Sequence, residues 1–184
     1  FFTVFWTLPL MFFFFRKNLQ WSENPKLQIL RGMMLLSANV CFFYSISIIS
    51  MAKALTLAFI APLVTTALSP IFLGEKVGIK RWSAVIVGFI GSLVVIRPGF
   101  IDINLATISA LGTGFFYGVY LIITRKLHTV DNPLLTLLIT GVVGAIISSI
   151  FVPLVWINLT QIQWFWLALM GIFACLGHLL LIYS

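Results

Sequence analysis

The sequence predicts an all-α transmembrane protein, a multi-pass bundle of about seven helices. Hydrophobic residues make up 61% of its 184 residues and charged residues 8%, and its mean hydropathy is +1.16. Soluble domains are closer to half apolar, so this composition indicates a chain that lies in lipid. No regular alternation of apolar and polar residues indicates a β-barrel, and helices therefore satisfy the backbone within the bilayer.

Apolar segments long enough to be helices follow one another along the whole chain, since a bilayer core needs roughly 20 apolar residues per helix. They cover residues 1–15, 32–50, 55–73, 82–97, 104–124, 134–156 and 164–184. The first segment begins without an initiator Met and the last has no polar flank. We therefore expect both ends to be cut from a longer chain.

Basic residues cluster in alternate gaps between these segments. The first, third and fifth gaps hold nine of the eleven, namely Arg16, Lys17, Lys26, Arg31, Lys76, Lys80, Arg81, Arg125 and Lys126. The positive-inside rule makes these gaps cytoplasmic. The gaps around 51–54, 98–103 and 157–163 are then external. The net charge of +7 is thus explained by topology, and we expect no nucleic-acid partner.

A weak internal repeat indicates how the helices are organised. Thr7-Leu8-Pro9-Leu10 resembles Phe151-Val152-Pro153-Leu154, and the helices that follow correspond loosely between Ala38–Ile46 and Ala174–Ile182. The gap after the first copy is rich in basic residues, whereas the equivalent gap after the second copy has none. The two copies therefore have opposite orientations, which requires an odd number of helices per repeat, here five.

Several motifs together resemble a known family. They are Ala61-Pro62-Leu63, the run from Leu68 to Lys76 that ends in Leu-Gly-Glu-Lys, then Trp82, Gly88, Gly91, Ile96-Arg97-Pro98-Gly99 and Gly177-His178-Leu179-Leu180-Leu181-Ile182. The chain resembles the drug/metabolite transporter superfamily, specifically its EamA type, over essentially its whole length.

The resemblance implies ten helices in two inverted five-helix repeats, with a substrate path between them. On this frame, residues 1–99 hold the last four helices of the first repeat and residues 103–184 the first three of the second. The family moves amino acids, nucleotide derivatives, cofactors and drugs. The resemblance therefore implies a small organic solute without selecting one.

Polar side chains inside the apolar segments are candidates for the substrate path, because such groups usually face the interior of a bundle. The candidates are Asn39, Tyr44, Ser47, Tyr117, Tyr120 and His178. Tyr117 and Tyr120 are three residues apart and should share a helix face. His178 is the one ionisable side chain well inside a predicted segment. For each candidate, hydrogen bonding between helices is the alternative interpretation.

Pro62, near the middle of segment 55–73, removes a backbone hydrogen bond. A carbonyl freed at membrane depth needs protein or a water-filled cavity beside it, so Pro62 marks either the substrate path or a packing kink. Glu75, at the cytoplasmic end, follows Gly74 and precedes Lys76. It is either part of a cytoplasmic gate or a structural ion pair. Gly88 and Gly91 lack the spacing of the Gly-x-x-x-Gly motif.

The leading hypothesis is a secondary transporter that moves its solute by alternating access. An intramembrane lipid-processing enzyme would need a nucleophile and a base at membrane depth, and only His178 could be the base, so we expect no enzyme and no catalytic residue. A seven-helix receptor fits the number of segments but not the inverted repeat.

Neither a metal site nor a cofactor is expected, because Cys41 and Cys175 lie in separate apolar segments without metal-ligand spacing. The predicted partners are the solute and the lipid bilayer, with a homodimer left open. We expect the protein to be a multi-pass component of a bacterial inner membrane.

Overall fold

The computed structural model describes residues 22–96, 104–128, 130–152 and 158–183. Within these ranges the ordered elements are all helical, which confirms the predicted fold class. The helices are α1 (Pro25–Ile46), α2 (Met51–Ala58), α3 (Ala61–Leu73), α4 (Ile79–Ile96), α5 (Leu105–His128), α6 (Pro133–Phe151) and α7 (Gln161–Tyr183).

Three stretches of the described chain are long and apolar enough to cross a bilayer. They are Pro25–Ile46, Met51–Leu73 and Leu105–His128, and the second consists of α2 and α3 together. Large apolar side chains such as Ile71, Val87 and Leu180 are exposed on the helix surfaces. Water would destabilise such surfaces, whereas lipid is the solvent that suits them. The protein is therefore a multi-pass membrane protein.

α1 begins seven residues before the segment predicted at 32–50. Asn24 precedes Pro25, and its carbonyl accepts hydrogen bonds from the backbone N–H groups of Leu27 and Gln28. Proline suits the first position of a helix because the N–H that it lacks would have no partner there. The placement of Arg31 in a gap was therefore wrong, since it lies inside α1 and is fully buried.

The segment predicted as one helix at 55–73 is two helices, α2 and α3, which meet at Phe59 and Ile60. Pro62 is the second residue of α3 and has no N–H to offer the Ala58 carbonyl four residues earlier. The helical hydrogen bonds therefore cannot continue unchanged through this point. α3 then ends at Gly74, whose φ of 68° lies in the left-handed region that favours glycine.

α5 extends four residues beyond its predicted end, so Arg125 and Lys126 lie inside a helix and not in a gap. Its start is fixed by Asn104, whose side-chain oxygen accepts a hydrogen bond of 3.0 Å from the backbone of Thr107. At the start of α7, the Gln163 side chain accepts a bond of 2.8 Å from the backbone N–H of Thr160. These polar groups cap the starts of helices whose interiors are apolar.

The chain packs as two compact units. One consists of Met34–Lys126, and the other combines Phe1–Met33 with Leu127–Ser184. In the first, α4 packs against α2 and α3; in the second, α6 packs against α7. The buried core of the first unit contains Ala54, Leu57 and Ala110, with Phe42, Ile46 and Ile49 packed around them.

Some predicted features lie outside the described residues. They are segment 1–15 with Pro9, the basic residues Arg16 and Lys17, the motif Arg97-Pro98-Gly99 and Pro153. The repeats at 1–99 and 103–184 stay a prediction. The two packing units follow contacts between helices and have different boundaries.

Candidate substrate site

The break between α2 and α3 packs against two glycines of α5. A Cβ added to Gly114 would lie 2.6 Å from the Ala58 carbonyl oxygen and would overlap the Ile60 side chain. A Cβ added to Gly118 would lie 2.8 Å from the Cβ of Val64. Only glycine allows the backbones to approach this closely. We call this contact between Ala58–Val64 and Gly114–Gly118 the helix-break site.

Backbone oxygens at the helix-break site either lie beside the neighbouring helix or accept a side-chain hydrogen bond. The Ala58 carbonyl, which cannot accept a hydrogen bond from Pro62, lies beside Gly114 of α5. The Thr65 hydroxyl donates to the Ala61 carbonyl at 2.9 Å and approaches the Gly118 carbonyl at 3.3 Å. The break is thus covered by protein at this side, as a bilayer requires.

Gly114 and Gly118 have the Gly-x-x-x-Gly spacing that Gly88 and Gly91 lack. The sequence interpretation missed this pair, although its spacing was visible within the predicted segment 104–124. By contrast, a Cβ added to Gly88 or Gly91 would meet nothing within 4 Å. The motif therefore marks a real close approach of helices in α5.

Tyr117 and Tyr120 lie on α5 next to these glycines. Their rings are stacked, with centroids 5.5 Å apart and an interplanar angle of 25°. This confirms the prediction that they share a face. Tyr120 is fully buried, whereas Tyr117 is partly exposed. Of the two, Tyr117 is thus the ring that a solute could reach.

Three further candidates lie on or just after α1. Asn39 and Tyr44 are exposed, and the Ser47 hydroxyl donates a 2.7 Å hydrogen bond to the Tyr44 carbonyl. That local bond accounts for Ser47 without a solute. A Cβ added to Gly112 of α5 would lie 3.5 Å from the Cys41 sulfur, so α1 and α5 are neighbours at this level. The helices that carry five of the seven path candidates, α1, α3 and α5, are therefore in contact through α5.

His178 lies in α7 and belongs to the other compact unit. It is partly buried, and the positive charge of Arg31 acts on it electrostatically. Arg31 is a further ionisable side chain within a described helix, six residues after the start of α1 and outside the predicted segment 32–50. The burial of Arg31 was missed because the start of α1 was placed too late.

Glu75 pairs with two arginines at the end of α3. Its carboxylate lies 3.6 Å from Arg81 and 3.7 Å from Arg125, and the Ser69 hydroxyl lies 3.4 Å away. Arg81 is close to Glu75 in the sequence, whereas Arg125 follows Glu75 by fifty positions and comes from α5. All three charged side chains are about half exposed, so each pair contributes at most about 1 kcal/mol.

Interrupted membrane-spanning helices occur in secondary transporters, and close packing on glycines is common between membrane helices. The fold thus defines a multi-pass helical membrane protein, and its interrupted span is a feature that secondary transporters also have. The chain belongs to the EamA-like transporter family, which residues 1–97 match. The resemblance to the EamA type of the drug/metabolite transporter superfamily is thereby confirmed.

Curated relatives of the chain are also named as transporters. The S-adenosylmethionine uptake transporter of Rickettsia bellii is 28% identical over 168 residues, which are 91% of this chain and 57% of the relative. The riboflavin transporter of Vibrio cholerae is 37% identical over 81 residues, or 44% and 27%. The pseudopaline exporter CntI of Pseudomonas aeruginosa is 25% identical over 164 residues, or 86% and 57%.

Two of these relatives, the S-adenosylmethionine transporter and the pseudopaline exporter, match most of this chain. The matched part is 57% of the length of each relative, so the chain spans little more than half of them. No solved structure is significantly similar to it.

Proposed function

We propose that the full-length protein is a secondary transporter that moves a small polar organic solute across the membrane by alternating access. The observation that carries the proposal is the helix-break site. There the α2–α3 span is interrupted at Pro62 and packed on Gly114 and Gly118. Because the helix is already interrupted, its backbone can change conformation at this point without breaking a regular helix. Interrupted helices of this kind form substrate sites in known transporter architectures.

The proposed solute position is beside Tyr117, with Asn39 and Tyr44 of α1 on the same path. A tyrosine offers both a ring face for stacking and a hydroxyl for hydrogen bonding. Such a site suits a metabolite with an aromatic or heterocyclic ring and polar substituents. S-adenosylmethionine and riboflavin, which appear in the names of relatives, both have this chemistry.

The inverted-repeat arrangement belongs to the same proposal. The match to the family ends at residue 97, which supports a first repeat that ends near residue 99. The relatives' greater length supports a ten-helix protein of which this chain is a part. We further propose a bacterial inner-membrane location, and the transporter names of the relatives favour this function over a lipid-processing enzyme or a receptor.

Solute counterflow in liposomes that contain the purified full-length protein tests the proposed function. The panel should contain S-adenosylmethionine, riboflavin, amino acids and nucleosides, with empty liposomes as the control. Saturable exchange of at least one solute is expected. Lack of exchange of every solute by well-folded protein would contradict the proposal.

Two variants test whether the polar path candidates bind the solute. Asn39→Ala and His178→Ala should each weaken solute affinity while membrane expression and melting temperature stay close to those of the parent. A structural role would lower melting temperature and transport together. If affinity and rate are unchanged in both variants, these residues do not belong to the path.

A further inference from the structure

Asp131, in the turn between α5 and α6, accepts hydrogen bonds from the region where α1 begins. The Ser22 hydroxyl donates to Oδ2 at 2.5 Å, and the Gln28 side-chain amide donates to the same oxygen at 2.7 Å. The backbone N–H of Glu23 donates to Oδ1 at 3.2 Å. Asp131 is 7% exposed, so these bonds replace most of its contact with water.

A second layer of bonds joins α1 to α6 one and two turns further in. The Gln28 amide also donates to the Thr136 hydroxyl at 2.9 Å. The Arg31 guanidinium donates to the Thr136 carbonyl at 3.1 Å and to the Thr140 hydroxyl. Gln28 and Arg31 are fully buried. A charged group and an amide are therefore enclosed between two helices of a membrane protein.

Beyond this polar layer the two helices approach closely where Gly32 faces Val143, and we call this contact the seam. A Cβ added to Gly32 would lie 2.9 Å from the Cβ of Val143. Thr136, Thr140 and Val143 follow one another on α6 at intervals of four and three residues, which places them on one helix face. The polar layer thus covers the end of an apolar seam between α1 and α6.

We propose that Ser22, Gln28, Arg31, Asp131, Thr136 and Thr140 form a cytoplasmic latch that closes this seam in one state of the transporter and opens in another. The proposal rests on the proposed function, in which α1 belongs to the first repeat and α6 to the second. Alternating access requires contacts between such repeats to break on one side of the membrane at a time. The distribution of basic residues places the latch on the cytoplasmic side.

The chemistry of the latch suits a contact that opens. Side-chain hydrogen bonds contribute modestly to stability because water replaces them when they break. The Gln28 side-chain oxygen is buried and has no hydrogen-bond partner among the described residues, which disfavours the closed arrangement. A cluster in which several bonds favour closure and one buried acceptor opposes it can switch between two states.

The first test measures access to the seam from the cytoplasmic side. In the full-length protein with Cys41→Ser and Cys175→Ser, a Val143→Cys variant reports opening through its rate of reaction with a membrane-impermeant thiol reagent. Adding Asp131→Ala removes the acceptor of the latch bonds and should raise that rate about tenfold, the effect of losing one hydrogen bond to a charged group.

Glu23→Gln is the matched control for Asp131→Ala. It also removes a carboxylate, but the Glu23 side chain is exposed and only its backbone joins the latch, so the labelling rate should stay at the parent value. General loosening is monitored by Cys175, a 2% exposed thiol of the same compact unit, retained in a protein without Val143→Cys. Its labelling should not change. An unchanged Val143→Cys rate, or an equal rise at Cys175, would overturn the latch.

The second test closes the latch covalently. Gly32→Cys with Val143→Cys places two sulfurs across the seam, and the helices need to separate by less than about 1 Å to reach ordinary disulfide geometry. Oxidation should abolish counterflow, reduction should restore it, and each single variant should be insensitive to oxidation. Undiminished transport by the cross-linked protein, or failure of the folded pair to cross-link, would overturn the latch.

These tests separate the latch from the proposed function. If the parent protein exchanges no solute, the proposed function fails, yet the labelling rates still show whether the seam opens. If the parent exchanges solute and the oxidised pair does so equally well, the latch alone fails.

Discussion

Gly114 of α5 lies against the carbonyl oxygen of Ala58, at a distance that leaves no room for a side chain. The contact coincides with the point where Pro62 leaves that carbonyl without its usual helical donor. The proline and the glycine are therefore complementary. One opens the helix, and the other lets a neighbouring backbone cover the opening.

Gly114→Ala should destabilise the full-length protein by about 1–3 kcal/mol, because its Cβ would lie too close to the Ala58 oxygen and the Ile60 side chain. Thermal unfolding in detergent measures the change. Gly88→Ala is the control, since a Cβ there meets nothing within 4 Å and alanine favours a helix. Equal melting temperatures for the two variants would show that the helices are not closely packed at Gly114.

The fold was largely predictable because lipid imposes a long apolar run on each helix. That constraint located the helices but not their ends. Asn24-Pro25 is a helix-start signal, yet the polar residues after it hid the start of α1. Arg31 counted as a loop residue for that reason. Its burial depends on Thr136 and Thr140, more than one hundred positions away, and a single sequence contains no direct sign of such a pairing.

Features of the candidate site could be predicted from the sequence where a residue affects only the helix to which it belongs. Pro62 predicted a disturbed helix, and the spacing of Tyr117 and Tyr120 predicted a shared face. The contact between the break and Gly114 depends on how two distant helices pack, so only the Gly-x-x-x-Gly spacing hinted at it. Arg125 beside Glu75 was likewise hidden, because Glu75 follows α3 whereas Arg125 lies in α5, fifty positions later.

Pro62→Ala should slow transport without loss of stability. Alanine supplies an N–H for the Ala58 carbonyl and favours a continuous α2–α3 helix, which would stiffen the region that has to change conformation. Pro70→Ala is the control, because Pro70 lies inside α3 away from the break. Counterflow rate and melting temperature are measured for both. A normal rate for Pro62→Ala would mean that the break serves packing alone.

The predicted topology can be tested with two exposed positions at opposite ends of the α2–α3 span. Gly78→Cys should react with an impermeant thiol reagent only from the cytoplasmic side, and Ser50→Cys only from outside, in a protein without its native cysteines. Intact cells and inverted vesicles provide the two directions of access. Labelling of Gly78→Cys in intact cells would reverse the assignment and place the proposed latch on the external side.

Of the two stacked tyrosines, we expect Tyr117 to contact the solute and Tyr120 to support the packing of α5. Tyr120 is fully buried, so Tyr120→Ala should destabilise the protein by roughly 3–5 kcal/mol through the cavity that it leaves. Tyr117 is partly exposed on the same stack. Tyr117→Phe keeps the ring and removes the hydroxyl, so melting temperature should hold. If the hydroxyl binds the solute, affinity should fall about tenfold.

Equilibrium binding and thermal unfolding of both variants separate the two roles. Tyr120→Phe is the control, because it retains the ring stack and should keep the solute affinity of the parent protein. The role of each tyrosine is assigned by comparing the change in solute affinity with the change in melting temperature for its variant. Parent-like affinity in Tyr117→Phe, together with weakened affinity in Tyr120→Phe, would exchange the roles. The solute would then lie on the buried side of the stack and reach it only after α5 moves away from its neighbours.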